Sequence, residues 1–473
     1  MLTGRVKELE LLEKAARDEQ SHFIAVYGRR RVGKTFLIRE AFHYRFTFQH
    51  AGLSEGGLKE QLFEFEASLR DSGGESNKPG NWLEAFEDLK SLIRESTEKK
   101  KVIFIDELSW MDTPRSDLMM ALENFWNGWA SARQDIVLII CTSATSWMLS
   151  KVIHSKGGLY NRLTEQIHLV PFTLGECEQY VRSKGIVMNR SQILQCYMVF
   201  GGVPFYWTLL EKGQSLAQNI DRVLFSEDAP LRDEFKYLYA SIFRNPTCYL
   251  KIIQTLAKRK SGLTREEIIQ YAEIPNSGDL SRKLDELESC GFIRRYTVSG
   301  KRKKGSIYQL IDFFTLFYYT FMTERPTEEH FWSNQINTPR MNTWLGLSFE
   351  RVCLLHVPQI KQKLGISGVY TEAHAWYGTA DPEKGIHGSQ IDLLIERRDQ
   401  VINLCEMKYS DSEYTITEKV DCSIRNKIHD LVTATGTKYA IHPTLVTTYG
   451  LVPNSYAGDI QAIITMEDLF GIY

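Results

Sequence analysis

The eight cysteines of this 473-residue chain are scattered, and none stands in a C-x-x-C pair. That spacing suits buried thiols in a reducing compartment better than disulfides or a zinc site. An excess of one charge is missing too. Lys and Arg number 57 against 59 Asp and Glu, for a net charge of -2. With a pI near 6.6 the chain is not a uniformly basic nucleic-acid binder, so any such contact must be regional. No apolar run approaches a membrane span, and Met1-Leu-Thr-Gly-Arg-Val-Lys-Glu8 lacks the basic, apolar and small-residue order of a signal peptide. These absences predict a cytoplasmic protein with no membrane partner. Internal repeats and long low-complexity stretches are also lacking. What remains is ordinary globular composition, 43% hydrophobic and 25% charged, in a chain long enough for roughly two to four domains.

Against that background one motif stands out. Gly28-Arg-Arg-Arg-Val-Gly33-Lys34-Thr35 follows the apolar run Phe23 to Tyr27 and precedes the periodic run Phe36 to Ala41. Glycines at Gly28 and Gly33 let backbone N–H groups curl around phosphates, Lys34 neutralises them, and the Thr35 hydroxyl is placed to hold magnesium. Such a loop needs a carboxylate at the end of a second buried strand. Lys101-Val-Ile-Phe-Ile-Asp106-Glu107 supplies it, Asp106 for the metal and Glu107 to polarise the attacking water. A third apolar run, Ile136 to Cys141, leads into Thr142-Ser143-Ala144-Thr145, where Ser143 is either a sensor of the γ phosphate or part of an ordinary polar strand end. Arg162 is read either as an arginine finger, in cis or toward a neighbouring subunit, or as a surface salt-bridge residue. Three apolar strands separated by helices predict an α/β fold, a parallel sheet with helices on both faces. Phe125, Trp126 and Trp129 at helical spacing read as core, and Lys99 to Lys101 as a solvated turn.

The back half changes character. Thr264-Arg-Glu-Glu267 is a capping box opening a helix through Ala272, and Asn276-Ser277 begins another with Leu280, Leu284 and Leu287 on one face. Strand-like runs Phe292 to Val298 and Ser306 to Ile311 follow, joined by a basic tip containing Lys301, Arg302, Lys303 and Lys304. This is the arrangement of a winged helix. Its tip is placed to bind nucleic-acid phosphates, but Asp279 to Cys290 carries roughly as many acids as bases, so a protein-docking module is the competing reading. Further on, Gln390 to Glu396 and Val401 to Lys408 read as two strands around the turn Arg397 to Gln400. Asp392 and Glu406 on adjacent strands can share a divalent metal, Lys408 lies on the face of Glu406 to orient or deprotonate a water, and Glu350 on the preceding helix completes the acidic cluster. Glu406 sits between Cys405 and Met407 in an apolar run, an awkward place for an unpaired acid. This is the layout of PD-(D/E)XK nucleases. His374 and His387 lie beside these strands without metal-ligand spacing.

Gly4-Arg5 with Glu8-Leu9, the phosphate loop, Asp106-Glu107, Arg162 and Gly201-Gly202-Val203-Pro204 together resemble the archaeal-type ATPases, a STAND-like branch of the AAA+ superfamily. The resemblance implies that Gly4, Arg5 and Pro204 flank an adenine, hence ATP, and that a nuclease-like domain ends the chain. The expected order is an α/β P-loop NTPase core with a parallel sheet (1–173), a helical lid (174–235), a winged helix (236–325) and an α/β PD-(D/E)XK-like domain (326–473). The expected function is an ATP-hydrolysing switch or motor coupled to a nuclease-like domain acting on nucleic acid, with ATP and Mg²⁺ at one site and Mg²⁺ or Mn²⁺ at the other. The alternative is an ATP-controlled signalling protein, acting as a homo-oligomer or with a protein partner, in which the last domain docks without cutting.

Overall fold

The computed structural model describes residues 2–472 except 76, 156, 244, 260, 297–305, 325–327, 329 and 379. The backbone divides into two compact units, residues 1–171 with 240–244, and residues 172–239 with 245–473.

In the first unit the three apolar runs form the middle of a parallel sheet. Its strands are β1 (His22–Tyr27), β2 (Phe48–Ala51), β3 (Lys101–Asp106), β4 (Ile136–Thr142) and β5 (Glu165–His168), in the order β2-β3-β4-β1-β5. Every neighbouring pair is parallel. Successive side chains go to opposite faces, as the pleat requires. Phe23 and Ala25 join Ile103, Ile105, Leu138 and Ile140 in one core, whereas Ile24 and Val26 join Val102, Phe104, Val137 and Ile139 in the other. Two-sided burial is why these strands read as continuous apolar runs. The edge strands β2 and β5, Phe-Gln-His-Ala and Glu-Gln-Ile-His, have no such run and are not legible beforehand. Phe125 and Trp126 are core, with the Trp126 ring 5.0 Å from that of Phe23. The solvated-turn reading of Lys99 to Lys101 needs correction. Lys100 donates to the carbonyls of Asp18, Gln20 and Gln134, which converge on it, and Lys101 pairs with Asp135 at 3.1 Å.

The second unit starts with two helices, Leu174–Ser183 and Arg190–Phe200, each opened by a capping box, Thr173 with Glu176 and Asn189 with Gln192. Gly201 ends the second helix at φ 61°, and a Cβ on Gly202 would lie 1.8 Å from the Phe172 carbonyl oxygen. Pro204, which cannot donate a backbone hydrogen bond, opens the helix Pro204–Trp207. The Gly-Gly-Val-Pro sequence thus has a steric explanation within this unit.

Three helices, Thr247–Ala257, Arg265–Ala272 and Gly278–Ser289, accompany a small antiparallel sheet of β6 (Leu263–Thr264), β7 (Ile293–Tyr296) and β8 (Ile307–Leu310), ordered β6-β8-β7. The Thr264 and Glu267 capping box forms, and Leu280, Leu284 and Leu287 are buried together. On the Gly278–Ser289 helix four acids, Asp279, Asp285, Glu286 and Glu288, outnumber Arg282 and Lys283, which pair with Asp279 and Glu286. Lys301, Arg302, Lys303 and Lys304 lie outside the described residues.

The last sheet contains β9 (Thr371–Tyr377), β10 (Gln390–Arg397), β11 (Val401–Lys408), β12 (Ala440–Thr447) and β13 (Ala462–Thr465), ordered β13-β12-β11-β10-β9. β9, β10 and β11 are antiparallel; the helix Glu418–Thr435 then crosses over to set β12 parallel to β11. The turn between β10 and β11 lies at Arg397 to Gln400, where Gln400 takes φ 65°.

Candidate functional site

The phosphate loop leaves β1 through a position that only glycine fits. Gly28 has φ 147°, and a Cβ there would stand 2.1 Å from the Leu169 carbonyl oxygen. At the other end Gly33, at φ 93°, caps the helix Lys34–Ala41, whose free N–H groups face the loop and favour anions. Lys34 is 6% exposed and folds back over the loop, donating to the carbonyls of Gly28 and Arg29 at 3.0 and 3.1 Å.

Strand order completes the cluster. Because β4 lies between β1 and β3, the C-terminal ends of all three strands meet beside the loop. Thr35 donates its hydroxyl to Asp106 Oδ2 at 2.6 Å. A hydroxyl and a carboxylate so close are hard oxygen donors of the kind magnesium takes, with water and phosphate oxygens filling its other positions, so these residues fit that metal. Glu107 follows at φ 46°, and its Oε2 accepts hydrogen bonds from the backbone N and the hydroxyl of Ser143, both at 2.9 Å. Burial, followed by the charge of Asp106, pushes the neighbouring Cys141 thiol well above its ordinary range. Gly4 and Arg5 both have left-handed backbone, and the buried Arg5 donates Nη2 to the Val170 carbonyl at 2.5 Å, pinning the segment beside Gly28. Arg162 is exposed in the turn before β5 and takes no part in these bonds. Pro204 belongs to the second unit.

A second cluster lies in the second unit. Leu393 of β10 pairs with Cys405 of β11, so Asp392 and Glu406 flank that pair on the same side. Lys408 Nζ is 2.7 Å from Glu406 Oε1. The other oxygen, Oε2, accepts from Lys427 Nζ at 2.7 Å, a residue of the Glu418–Thr435 helix that no spacing argument singles out. Burial alone would raise the Glu406 carboxyl, but the two lysines outweigh it and hold it below its ordinary value. Glu350, on the helix Pro339–Leu355, shows the opposite: burial, then the charge of Asp392, push its carboxyl up to about 7. Gln390 donates to Asp392 Oδ1 at 2.9 Å.

Sequence reasoning also missed Arg294 and Tyr296 of β7. Burial draws the Arg294 guanidinium down to about 10, against the pull of Tyr296, Asp392 and Glu350. Its Nε donates to Gln309 at 2.7 Å. His387 is no part of a metal set; with Ser389 it donates to Asp430, which is fully buried on the helix Glu418–Thr435. Three carboxylates of the second cluster supply hard oxygens of the kind magnesium or manganese takes. Among the described residues, however, no three His, Cys, Asp or Glu side chains converge closely enough to hold a metal as they stand.

Residues 2–208 match the family described as an ATPase domain predominantly from Archaea. Together with the loop geometry this makes the front of the chain an archaeal-type P-loop ATPase domain, and the protein an ATPase. Over 427 residues the chain is 26% identical to an uncharacterized protein of Methanocaldococcus jannaschii, covering 89% of this chain and 90% of that one. A 40-residue stretch is 48% identical to an uncharacterized ATP-binding protein of the same organism, covering 8% of this chain and 68% of that protein. Among solved structures, the Walker-type ATPase of Pyrococcus abyssi is similar with a TM-score of 0.48 and 16% identity, over 67% of this chain and 96% of that one. No described helix is long and apolar enough to cross a membrane.

Proposed function

We propose that the protein is an ATP-driven switch whose ATPase site governs a metal-dependent, nuclease-like site acting on nucleic acid. The observation that carries this reading is that Asp392 and Glu406 stand side by side on paired strands, with Lys408 on Glu406 and the charge of Asp392 felt by Glu350 on the preceding helix. Carboxylates beside a lysine suit phosphodiester hydrolysis: a divalent cation there would supply a Lewis acid and a more acidic water. Lys408 would orient that water, and Asp392 and Glu406 would hold the charge.

At the ATPase site, Lys34 would leave the loop carbonyls for the β and γ phosphates, and Thr35 with Asp106 would hold magnesium. Glu107, anchored by Ser143 through Oε2, would present Oε1 to the attacking water. Gly4 and Arg5 would border the adenine, and Arg162 would reach the γ phosphate of its own or a neighbouring chain. The helices and small sheet of residues 247–310 are read as a winged helix, with Lys301 to Lys304 offering charge to a nucleic acid.

The test is incubation of the full chain with plasmid, linear DNA and RNA while ATP and Mg²⁺ or Mn²⁺ are varied independently. Cleavage should appear and should be abolished by Asp392→Ala, which leaves ATP turnover unchanged. The paired charges on the Gly278–Ser289 helix favour protein docking over groove binding by that module, and the second reading is a signalling protein whose last domain only docks. Absence of cleavage under every combination selects it.

A further inference from the structure

Both oxygens of Glu406 are occupied from within the chain, Oε1 by Lys408 and Oε2 by Lys427, each at 2.7 Å. The two lysines are not equivalent. Lys408 shares the strand of Glu406 and its side chain is 33% exposed, whereas Lys427 comes from the crossover helix and is 17% exposed. The Lys427 pair is therefore the less screened by solvent. Helix geometry also fixes it: Asp430, one turn further along, is tied to His387 and Ser389 ahead of β10, so Lys427 is held over the sheet by a second anchor on the same helix.

An ammonium and a divalent cation compete at one carboxylate oxygen. A metal ion at one lone pair of that oxygen is repelled by an ammonium held at the other, so the lysine weakens the oxygen as a ligand. Glu350 feels the charges of Asp392 and Glu406, both oxygens of Glu406 are turned to lysines, and no three carboxylates converge among the described residues. Resting on the nuclease-like reading, we propose that Lys427 is a positioning residue that occupies Oε2 of Glu406 and sets the divalent-cation concentration at which the acidic site fills. The site in this state is charge-balanced without metal, and metal entry requires the Lys427 to Glu406 bond to break.

The experiment is Mn²⁺ titration of the full chain without nucleotide, by calorimetry and by the paramagnetic resonance signal of free Mn²⁺. Lys427→Gln should tighten binding about tenfold, the ratio that corresponds to about 1.4 kcal/mol. Lys427→Arg should bind as the wild type, and Glu406→Gln added to Lys427→Gln should erase the gain. A folded Lys427→Gln variant that binds Mn²⁺ no tighter than the wild type overturns the proposal; if Asp392→Asn still weakens binding, the nuclease-like reading survives it. Mn²⁺ binding that is indifferent to Asp392 in every variant overturns both. A measurement on the unaltered chain guards against misfolding: labelling of Lys427 by an amine-reactive ester, read by mass spectrometry, should rise when Mn²⁺ is added. Unchanged labelling with Mn²⁺ bound overturns the proposal independently.

Discussion

Asp106 ends the apolar strand β3 and Glu406 lies two residues before the end of β11, yet they meet opposite partners. Asp106 accepts from the neutral hydroxyl of Thr35, and Glu406 from two ammonium groups. A hydroxyl remains a ligand when a metal arrives, so the phosphate-loop site needs little rearrangement to receive one. An ammonium must leave. A carboxylate near the C-terminal end of a strand thus gives a site open to metal in one unit and a site balanced against it in the other.

The contrast is sharpest when a charge is removed from the first site. Glu107→Gln should cut ATP hydrolysis by about 10²- to 10⁴-fold, the usual share of a general base, while ATP binding persists. Lys34→Ala should lower turnover by about 10²- to 10³-fold through lost phosphate stabilisation. Phosphate release measures both, and Asp392-dependent Mn²⁺ binding should be untouched by either. Undiminished turnover in Lys34→Ala would sink the phosphate-loop assignment.

In the second site the corresponding probe is pH. Glu350 loses its proton near 4.5 in the unfolded chain and near 7 when folded. Between those values the folded state binds more protons, so the stabilisation is complete below about 4.5 and is lost as pH rises through 7. The loss amounts to about 3 kcal/mol. Glu350→Gln should remove that slope and be the more stable protein at pH 8, as urea melts between pH 5 and 8 would show. The smallest effect is expected at Ser143→Ala, which removes one of the two strong bonds to Glu107 and should slow hydrolysis about tenfold.

Much of the phosphate loop's surroundings was legible because its parts are local. Gly28, Gly33, Lys34 and Thr35 are adjacent in sequence, and the runs before Asp106 and Ser143 carry the uninterrupted apolar pattern of strands buried on both faces. The β10 and β11 pair with its turn was readable for the same reason. Edge strands β2 and β5 were not, since a strand at the rim of a sheet has no need of a continuous apolar run.

The sequence by itself determined which residues could carry chemistry and on which face of a strand they stand, because periodicity and turn residues act over a few positions. Only the tertiary structure decided what those residues meet. Ser143 reaches Glu107 because β4 is inserted beside β3; Arg5 meets Val170 across 165 residues of chain; and Lys427 meets Glu406 because a crossover helix returns over β11. Contacts of that kind leave no periodic signal, for they depend on where two elements pack and not on the residues between them.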